Sequence, residues 1–459
     1  TPPPGIVGIS SPDYARRFGG RWTPTHPAAA LTWPAPRVVK GGEGAPAAVD
    51  FGGALRARIP ALGVLELERP KLHFPWGWIL GADRTLLADH TWFANQSDDD
   101  PSGTGAIASR IGAETDRAEG TPLPGTTLSL LTEFHSNYCH FLLDAVGRLA
   151  LVEAAGIDLE SVDRILVPEP CSENARRILA ALPLPPAKLV RVQANRREVF
   201  VPERLVAATF PGAPRCYLPF LPEFLRRRVP HLPPGSAPTR LYVDRAGGGR
   251  SIENRDAVLA VMKEHGFRVY DPAEHDDQPA DFAAATVIVG PHGAGLANIV
   301  FASPGAEILE LLPSDQIQPY YFTLALAAGH THSFLPCRSA GSRPAKTFGP
   351  SPFPFRVDID ALRGALAATR EFERDVPRVT RAVDRSPTPE ETPAGAAAAA
   401  APGKRFPHAE REDAVSARPA ERHRDRPPPQ RGFWRVFGWL RRRSRPHEPP
   451  EDPPEATLG

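Results

Sequence analysis

Two stretches of this chain hold residue types that could move a proton or grip an anion. The first is Asn137-Tyr138-Cys139-His140-Phe141-Leu142-Leu143-Asp144, followed by Arg148-Leu149. At about 100° per residue on a helix, Asn137, His140, Asp144 and Arg148 fall within about 80° of one another. Phe141, Leu142, Leu143, Val146, Leu149 and Ala150 cover the remaining surface. A polar stripe on an otherwise apolar helix is costly to bury unless it is paired or faces a cleft. His140 and Asp144 are one turn apart and can hydrogen-bond, which suits a general base whose imidazole is oriented by a carboxylate. Asn137 and Arg148 would then line the acceptor side of the same cleft. The same spacing also fits a solvated face, with Asn137 as an N-terminal cap and Asp144–Arg148 as an i,i+4 pair.

The second stretch is Val287-Ile288-Val289-Gly290, a buried-strand pattern, running into Pro291-His292-Gly293-Ala294-Gly295-Leu296-Ala297-Asn298. Ligands of open α/β sheets bind at the carboxyl ends of strands. Gly293 and Gly295 remove side chains where a backbone must approach a ligand, and the helix that follows offers N–H groups and a partial positive charge to a pyrophosphate. His292 could donate to a phosphate oxygen, and Asn298 could fix the loop or reach the ligand. A tight strand-to-helix turn alone would also use two glycines. Upstream, Arg245 and Arg250 flank Gly247-Gly248-Gly249 at a strand exit, and the planar fork of arginine suits phosphate; an exposed loop would carry such arginines as well. Glu310, inside the apolar run Ile308–Leu312, could accept from ribose hydroxyls or sit at a solvated sheet edge.

The elements that must position these residues follow from periodicity. The spacing predicts strands over Thr127–Phe134, Asp163–Val167, Lys188–Val192 and Arg204–Thr209, with helices over Asn137–Ala155, Ser172–Ala181 and Tyr217–Val229. After the proline-rich link Pro230–Pro238 a second series begins. It has strands at Thr239–Asp244, Phe267–Tyr270, Thr286–Gly290 and Glu307–Leu312. Its helices fall at Asn254–His265, Asp281–Ala285, Pro319–Ala328 and Asp358–Phe372, and His292–Phe301 starts as a turn and becomes helical. Strands alternating with helices argue for parallel α/β sheets. Two such series argue for two doubly wound, Rossmann-like domains facing each other. The expected division is a Pro/Gly-rich segment over 1–50, an acceptor-side α/β domain over 51–235 and a nucleotide-sugar-binding α/β domain over 236–375. A disordered Pro/Ala/Arg-rich linker over 376–430 and a basic aromatic tail over 431–459 follow.

Composition narrows the function classes. Lys+Arg number 54 and Asp+Glu 53, so a general nucleic-acid binder, which would show a basic excess, is not expected. Four cysteines without a CxxC pair argue against a disulfide scaffold or zinc site and fit a reducing compartment. A metal-dependent transferase would need Asp-x-Asp at a strand end. Asp98-Asp99-Asp100 lies in a polar loop and Asp358-Ile359-Asp360 reads as a helix start, so no metal site is expected. A dinucleotide oxidoreductase would need GxGxxG and an acidic residue about 20 positions on, and Gly247-Gly248-Gly249 lacks that spacing. A non-catalytic nucleotide-sugar-binding protein of the same fold is the other alternative. The run Phe433-Trp434-Arg435-Val436-Phe437-Gly438-Trp439-Leu440-Arg441-Arg442-Arg443 could lie on an anionic membrane surface or be a plain basic tail.

Taken together, the Asn137–Leu149 stretch, Tyr242-Val243-Asp244-Arg245 with Arg250 and Asn254, and Val289–Asn298 with Phe301 and Glu310 resemble the family 61 glycosyltransferases, in particular bacterial members linked to capsule and other surface polysaccharides. The resemblance covers roughly residues 127–315. In one departure, Arg255 stands where the family often has Glu, with Glu253 before the asparagine instead. The resemblance implies a GT-B-like fold with a cleft between two domains, inversion at the anomeric carbon and no obligatory metal or other cofactor. It implies a nucleotide-sugar donor, taken as a UDP-sugar, bound by Arg245, Arg250, Asn254, His292, Gly293, Ala294, Gly295, Asn298 and Glu310. His140 and Asp144 would be catalytic. The sugar moved would be a hexose or pentose, and the acceptor a glycan or lipid-linked glycan. The place would be the cytoplasm, peripheral on the inner face of the membrane through residues 431–443.

Overall fold

A computed structural model describes residues 8–42, 51, 55–74, 76–81, 84–92, 119–193, 198–213, 215–229, 239–245, 250–272, 274–275, 277–342 and 351–375. The expected link at 230–238, the Gly247–Gly249 run, Asp98–Asp100, the linker at 376–430 and the tail at 431–459 lie outside the described residues. Thr1–Pro377 cluster as one compact unit. Within it the described residues form a mixed α/β structure around two large sheets.

The second sheet carries the expected parallel pattern. Five of its strands lie in the spatial order Arg268–Tyr270, Thr239–Val243, Ala285–Pro291, Glu307–Pro313, Thr331–Ser339, every neighbouring pair of these parallel, and Phe355–Arg356 adds antiparallel to the last. In sequence numbering that order is two-one-three-four-five, so the direction of winding reverses between Thr239–Val243 and Ala285–Pro291, where such sheets bind ligands. Alternation sorts the side chains into two layers. Leu241, Val243, Ile288 and Ile308 pack with Phe282, Leu296, Ile299 and Leu324. Tyr242, Val287, Val289, Leu309 and Leu311 pack on the opposite face with Val258, Met262 and Leu362. Both faces are covered, which is why these strands read as continuous apolar runs.

The first sheet departs from the doubly wound expectation. Thr121–Ser129 pairs in parallel with Arg164–Pro168 and with Glu198–Ala208. Leu62–Glu68 and Lys71–Phe74 then add antiparallel to Glu198–Ala208. Helices Glu173–Ala181 and Phe220–Arg228 contribute Ile178, Leu179, Leu221 and Phe224 to the core on one face. The other face packs Leu65, Leu72, Leu166 and Leu205 with Tyr14 of the helix Ser11–Phe18. The folded part thus begins well before residue 50. Arg21–His26 joins the sheet edge against Leu62–Glu68, and its proline sits next to a register shift, a place where a strand tolerates the missing N–H. Arg37–Val38 reaches the second sheet, pairing with Thr331–Ser339. The Ser11 backbone N–H donates to Asp89 Oδ2 at 2.7 Å and its hydroxyl to Asp89 Oδ1 at 2.9 Å, which ties this helix to the sheet.

One apolar core runs through both halves. Leu143 and Val146, Phe224 and Leu225, Leu296 and Ile299, and Tyr321 and Leu324 belong to a single cluster of buried side chains. Leu296 is fully buried there. Replacing it with Ala should cost about 2–5 kcal/mol through lost contacts and the cavity left. Urea unfolding followed by tryptophan fluorescence in a Trp33→Phe background, which keeps Trp22, Trp76, Trp78 and Trp92 of the first half as reporters, should shift together with far-UV circular dichroism. An unmoved fluorescence transition would mean that the halves unfold separately.

Candidate active site

The first polar stripe sits on a broken helix. Asn137 caps it by accepting from the Cys139 N–H at 2.9 Å, the capping role the spacing allowed. Tyr138–His140 is one α-helical turn, Phe141–Val146 is a wider π turn and Arg148–Ala154 is α-helical again. Such wide turns are frequent at functional sites. His140 Nδ1 and Asp144 Oδ2 lie 2.6 Å apart, as the i,i+4 spacing predicts. The carboxylate is buried, while the imidazole keeps 14% of its side-chain surface. The extra residue in the wide turn rotates everything after it by about 100°. Arg148 therefore leaves the stripe and is buried, donating through Nη2 to the His90 carbonyl at 2.9 Å and through Nη1 to the Leu131 carbonyl. Its expected acceptor-side place is corrected to an internal clamp between strand ends.

Across from it, the parallel pairing of Thr239–Val243 with Ala285–Pro291 brings their carboxyl ends side by side. The Arg245 guanidinium lies on Gly293: a side chain there would meet Arg245 Nη1 at 2.6 Å. Gly295 serves packing instead, since its missing Cβ would stand 3.0 Å from Val243 Cγ1 and 3.2 Å from Pro272. Ala294–Phe301 winds as a tight 3₁₀ helix that no side chain caps at its start. The first turn of a helix leaves N–H groups without intrahelical partners, and here they open at half-buried Ala294 and Gly295 beside a guanidinium. Arg250 holds the turn from the other side, Nη1 donating to the His292 carbonyl at 3.1 Å.

Three expected donor-side residues are engaged within the protein. Glu310 is fully buried in the middle of the sheet, so it reaches no solvent edge and no ribose. Its Oε1 lies 2.5 Å from His292 Nδ1 and its Oε2 3.1 Å from His332 Nε2. His332 carried no sequence signal, since its strand, Thr331–Ser339, mixes polar and apolar residues and was not among those expected. Asn254 is turned to the backbone of Val357, donating at 2.8 Å and accepting at 3.1 Å, and so anchors the neck of the Arg250 loop. Asn298 fixes the loop: its amide donates to Gln278 Oε1 at 2.6 Å and Gly295 O at 3.3 Å, and its Oδ1 accepts from the Tyr138 hydroxyl at 2.6 Å. That last bond ties the helix of His140 directly to the glycine turn. Arg255, the departure noted above, grips Asp244 with Nε at 3.1 and 3.0 Å from the two carboxylate oxygens and steadies the residue before Arg245.

Burial sets the charge state around Glu310. It raises the Glu310 carboxyl well above its ordinary range, against the pull of Arg250. It lowers His292 well below its own, with Arg250, Arg245 and His332 adding to the effect. The neutral arrangement follows: Glu310 donates to His292 Nδ1, and His292 Nε2–H is left as a donor suited to a phosphate oxygen. Between the two halves stands Tyr320, its ring 6.3 Å from that of His140 and 6.5 Å from that of His292, centroid to centroid. The His140–Asp144 pair and the His292 turn thus share one aromatic wall.

The Glycosyltransferase 61 family model matches residues 138–309, from the helix of His140 to the strand of Glu310. Those matched residues support a family 61 glycosyltransferase. Over 84 residues the chain is 38% identical to the β-1,2-xylosyltransferase XAX1 of Oryza sativa subsp. japonica; the stretch is 17% of this chain and 14% of that protein. Among the described residues no His/Cys/Asp/Glu cluster has the geometry to hold a metal, and no helix is long and apolar enough to cross a membrane. All four cysteines are free thiols. Asp358 Oδ1 caps the helix Ile359–Asp375 by accepting from the Ala361 N–H at 2.7 Å, as a helix start should.

Burial, with a smaller contribution from His330, lowers His332 from 6.5 to about 3. The unfolded chain takes up that proton near 6.5, so between about pH 6.5 and about pH 3 the unfolded state binds more protons than the folded one. The stability owed to neutral His332 is complete above this window and is lost as pH falls through it. His332→Gln should flatten the acid-side fall of the melting temperature relative to the parent. Parallel acid limbs would contradict the assignment.

Proposed function

We propose that this chain is an inverting, metal-independent glycosyltransferase. It moves a hexose or pentose from a nucleotide-sugar, a UDP-sugar first among them, to a glycan or lipid-linked glycan acceptor in surface polysaccharide assembly. In this reading the two sheets act as the halves of a GT-B-like enzyme. The work is done in the cytoplasm, on the inner face of the membrane, with residues 431–443 as the contact. The observation that carries the reading is the Arg245 guanidinium against Gly293 at the winding reversal, facing the His140–Asp144 pair across Tyr320.

The diphosphate lies along Gly293, Ala294 and Gly295. Peptide N–H groups, His292 Nε2–H, Arg245 and Arg250 hold its charge, and these fixed donors stabilise the leaving group as the bond to the anomeric carbon breaks. His140, oriented by buried Asp144, takes the proton from the acceptor hydroxyl as that oxygen attacks. One displacement forms one glycosidic bond, releases the nucleoside diphosphate and inverts the configuration. Arg245 and Arg250 supply the positive charge that a divalent ion would otherwise bring.

His140→Ala and Asp144→Ala should each lower turnover by about 10²–10⁴-fold, while the melting-temperature rise given by UDP-sugar stays within error of the parent. Arg245→Ala should reverse the pattern and shrink that rise. Equal loss of the nucleotide-induced rise in the His140 variant would remove it from the role of base. UDP-, GDP- and CMP-sugars measured side by side identify the donor base.

A further inference from the structure

Beside His140, two side chains sit on backbone that only glycine adopts readily. Phe134 has φ 57° and Arg215 has φ 66°. Such conformations persist where the surroundings over-determine them, and they gather at sites that hold ligands. Both are pinned. The Phe134 carbonyl accepts from the Asn137 N–H at 2.7 Å, and the Arg215 carbonyl accepts from the Thr323 hydroxyl at 2.7 Å. Between them stands Trp92, edge-on to Phe134 at 5.6 Å and 5.5 Å beneath the Arg215 guanidinium. Trp92 is itself held by Glu133, whose carboxyl accepts from the Trp92 N–H and from Trp78 Nε1, both at 2.8 Å.

The result is a rigid shelf that opens onto the proposed base. The half-buried Phe134 ring lies 5.0 Å from the His140 ring. Arg215 faces the Tyr320 hydroxyl, which burial raises to about 12 while the guanidinium pulls it down. No carboxylate among the described residues forms an ion pair with Arg215, and its Nε is buried without a hydrogen-bond partner. A buried donor on a cation calls for an oxygen, and an anionic one fits a guanidinium best. This cation is separate from Arg245 and Arg250, which hold the glycine turn on the far side of Tyr320.

We propose that Phe134 and Arg215 form the acceptor subsite, and that the acceptor is a sugar bearing a negative charge. The C–H face of its ring rests on Phe134 and its carboxylate or phosphate is bound by Arg215. In that pose a neighbouring hydroxyl meets His140. This rests on the glycosyl-transfer reading above, for the same site.

The test uses the full chain without nucleotide. Binding of a hexuronic-acid disaccharide, its carboxyl-reduced neutral counterpart and a hexose phosphate is measured by calorimetry and saturation-transfer NMR. An acidic probe should bind at least about tenfold tighter than the neutral one, and whichever acidic probe wins identifies the source of the charge. Arg215→Gln should abolish the preference, Arg215→Lys should keep part of it, and Phe134→Leu should weaken every probe. None of these variants changes the cost of the left-handed backbone. The rise in melting temperature with UDP-sugar should be unaltered in Arg215→Gln. Equal binding of acidic and neutral probes, or a preference that survives Arg215→Gln, overturns the proposal and leaves the donor reading standing. Loss of the UDP-sugar effect in Arg215→Gln overturns it too, by moving Arg215 to the donor.

Discussion

A carboxyl group in the middle of a fully covered parallel sheet is tolerated only with partners, and Glu310 has two. His292 and His332 take one oxygen each, so the group is satisfied without solvent. The consequence reaches the surface. With Nδ1 committed to Glu310, the His292 ring cannot turn, and its remaining nitrogen is fixed at the exit of the central strand, where the winding of the sheet reverses. Arg250 on the His292 carbonyl and Arg245 on Gly293 complete a turn whose donors are set before any ligand arrives. That is the condition under which fixed dipoles stabilise a developing charge most effectively.

The first half answers this with a separate device. His140 is partly open, Asp144 is closed, and the wide helical turn between them keeps both on one side. The Tyr138–Asn298 hydrogen bond and the shared apolar core join the two devices, so neither can shift alone. The Tyr320 ring stands between them, 6.3 Å from the His140 ring and 6.5 Å from the His292 ring, centroid to centroid.

Much of this was legible in the sequence, for physical reasons. The His140–Asp144 contact follows from an i,i+4 spacing, and the continuous run Val287–Val289 announced a strand buried on both faces. Position after that strand singled out the His292–Gly295 turn as the candidate ligand site. The failures are equally physical. Arg148 was misplaced because a helical wheel assumes a constant twist, and the wide turn at Phe141–Val146 breaks it. Glu310 looked like a ligand for ribose because the sequence says nothing of His332, which lies on the next strand and meets it only through parallel register. Asn254 was drawn into the donor site by the family resemblance, although the Val357 backbone occupies its amide. Phe134 and Arg215 were invisible, since a left-handed backbone at a residue other than glycine is imposed by its surroundings. The N-terminal strands were hidden by proline content, which suits an edge strand as well as a loop.

The central claim is the location of the diphosphate. A crystal structure of the chain soaked with UDP tests it most directly. The account predicts phosphate oxygens within hydrogen-bond reach of the Gly293–Gly295 backbone and of Arg245, with the β-phosphate on the side of Tyr320 that faces His140. A diphosphate bound elsewhere, with the Arg245 guanidinium still resting on Gly293, would contradict it.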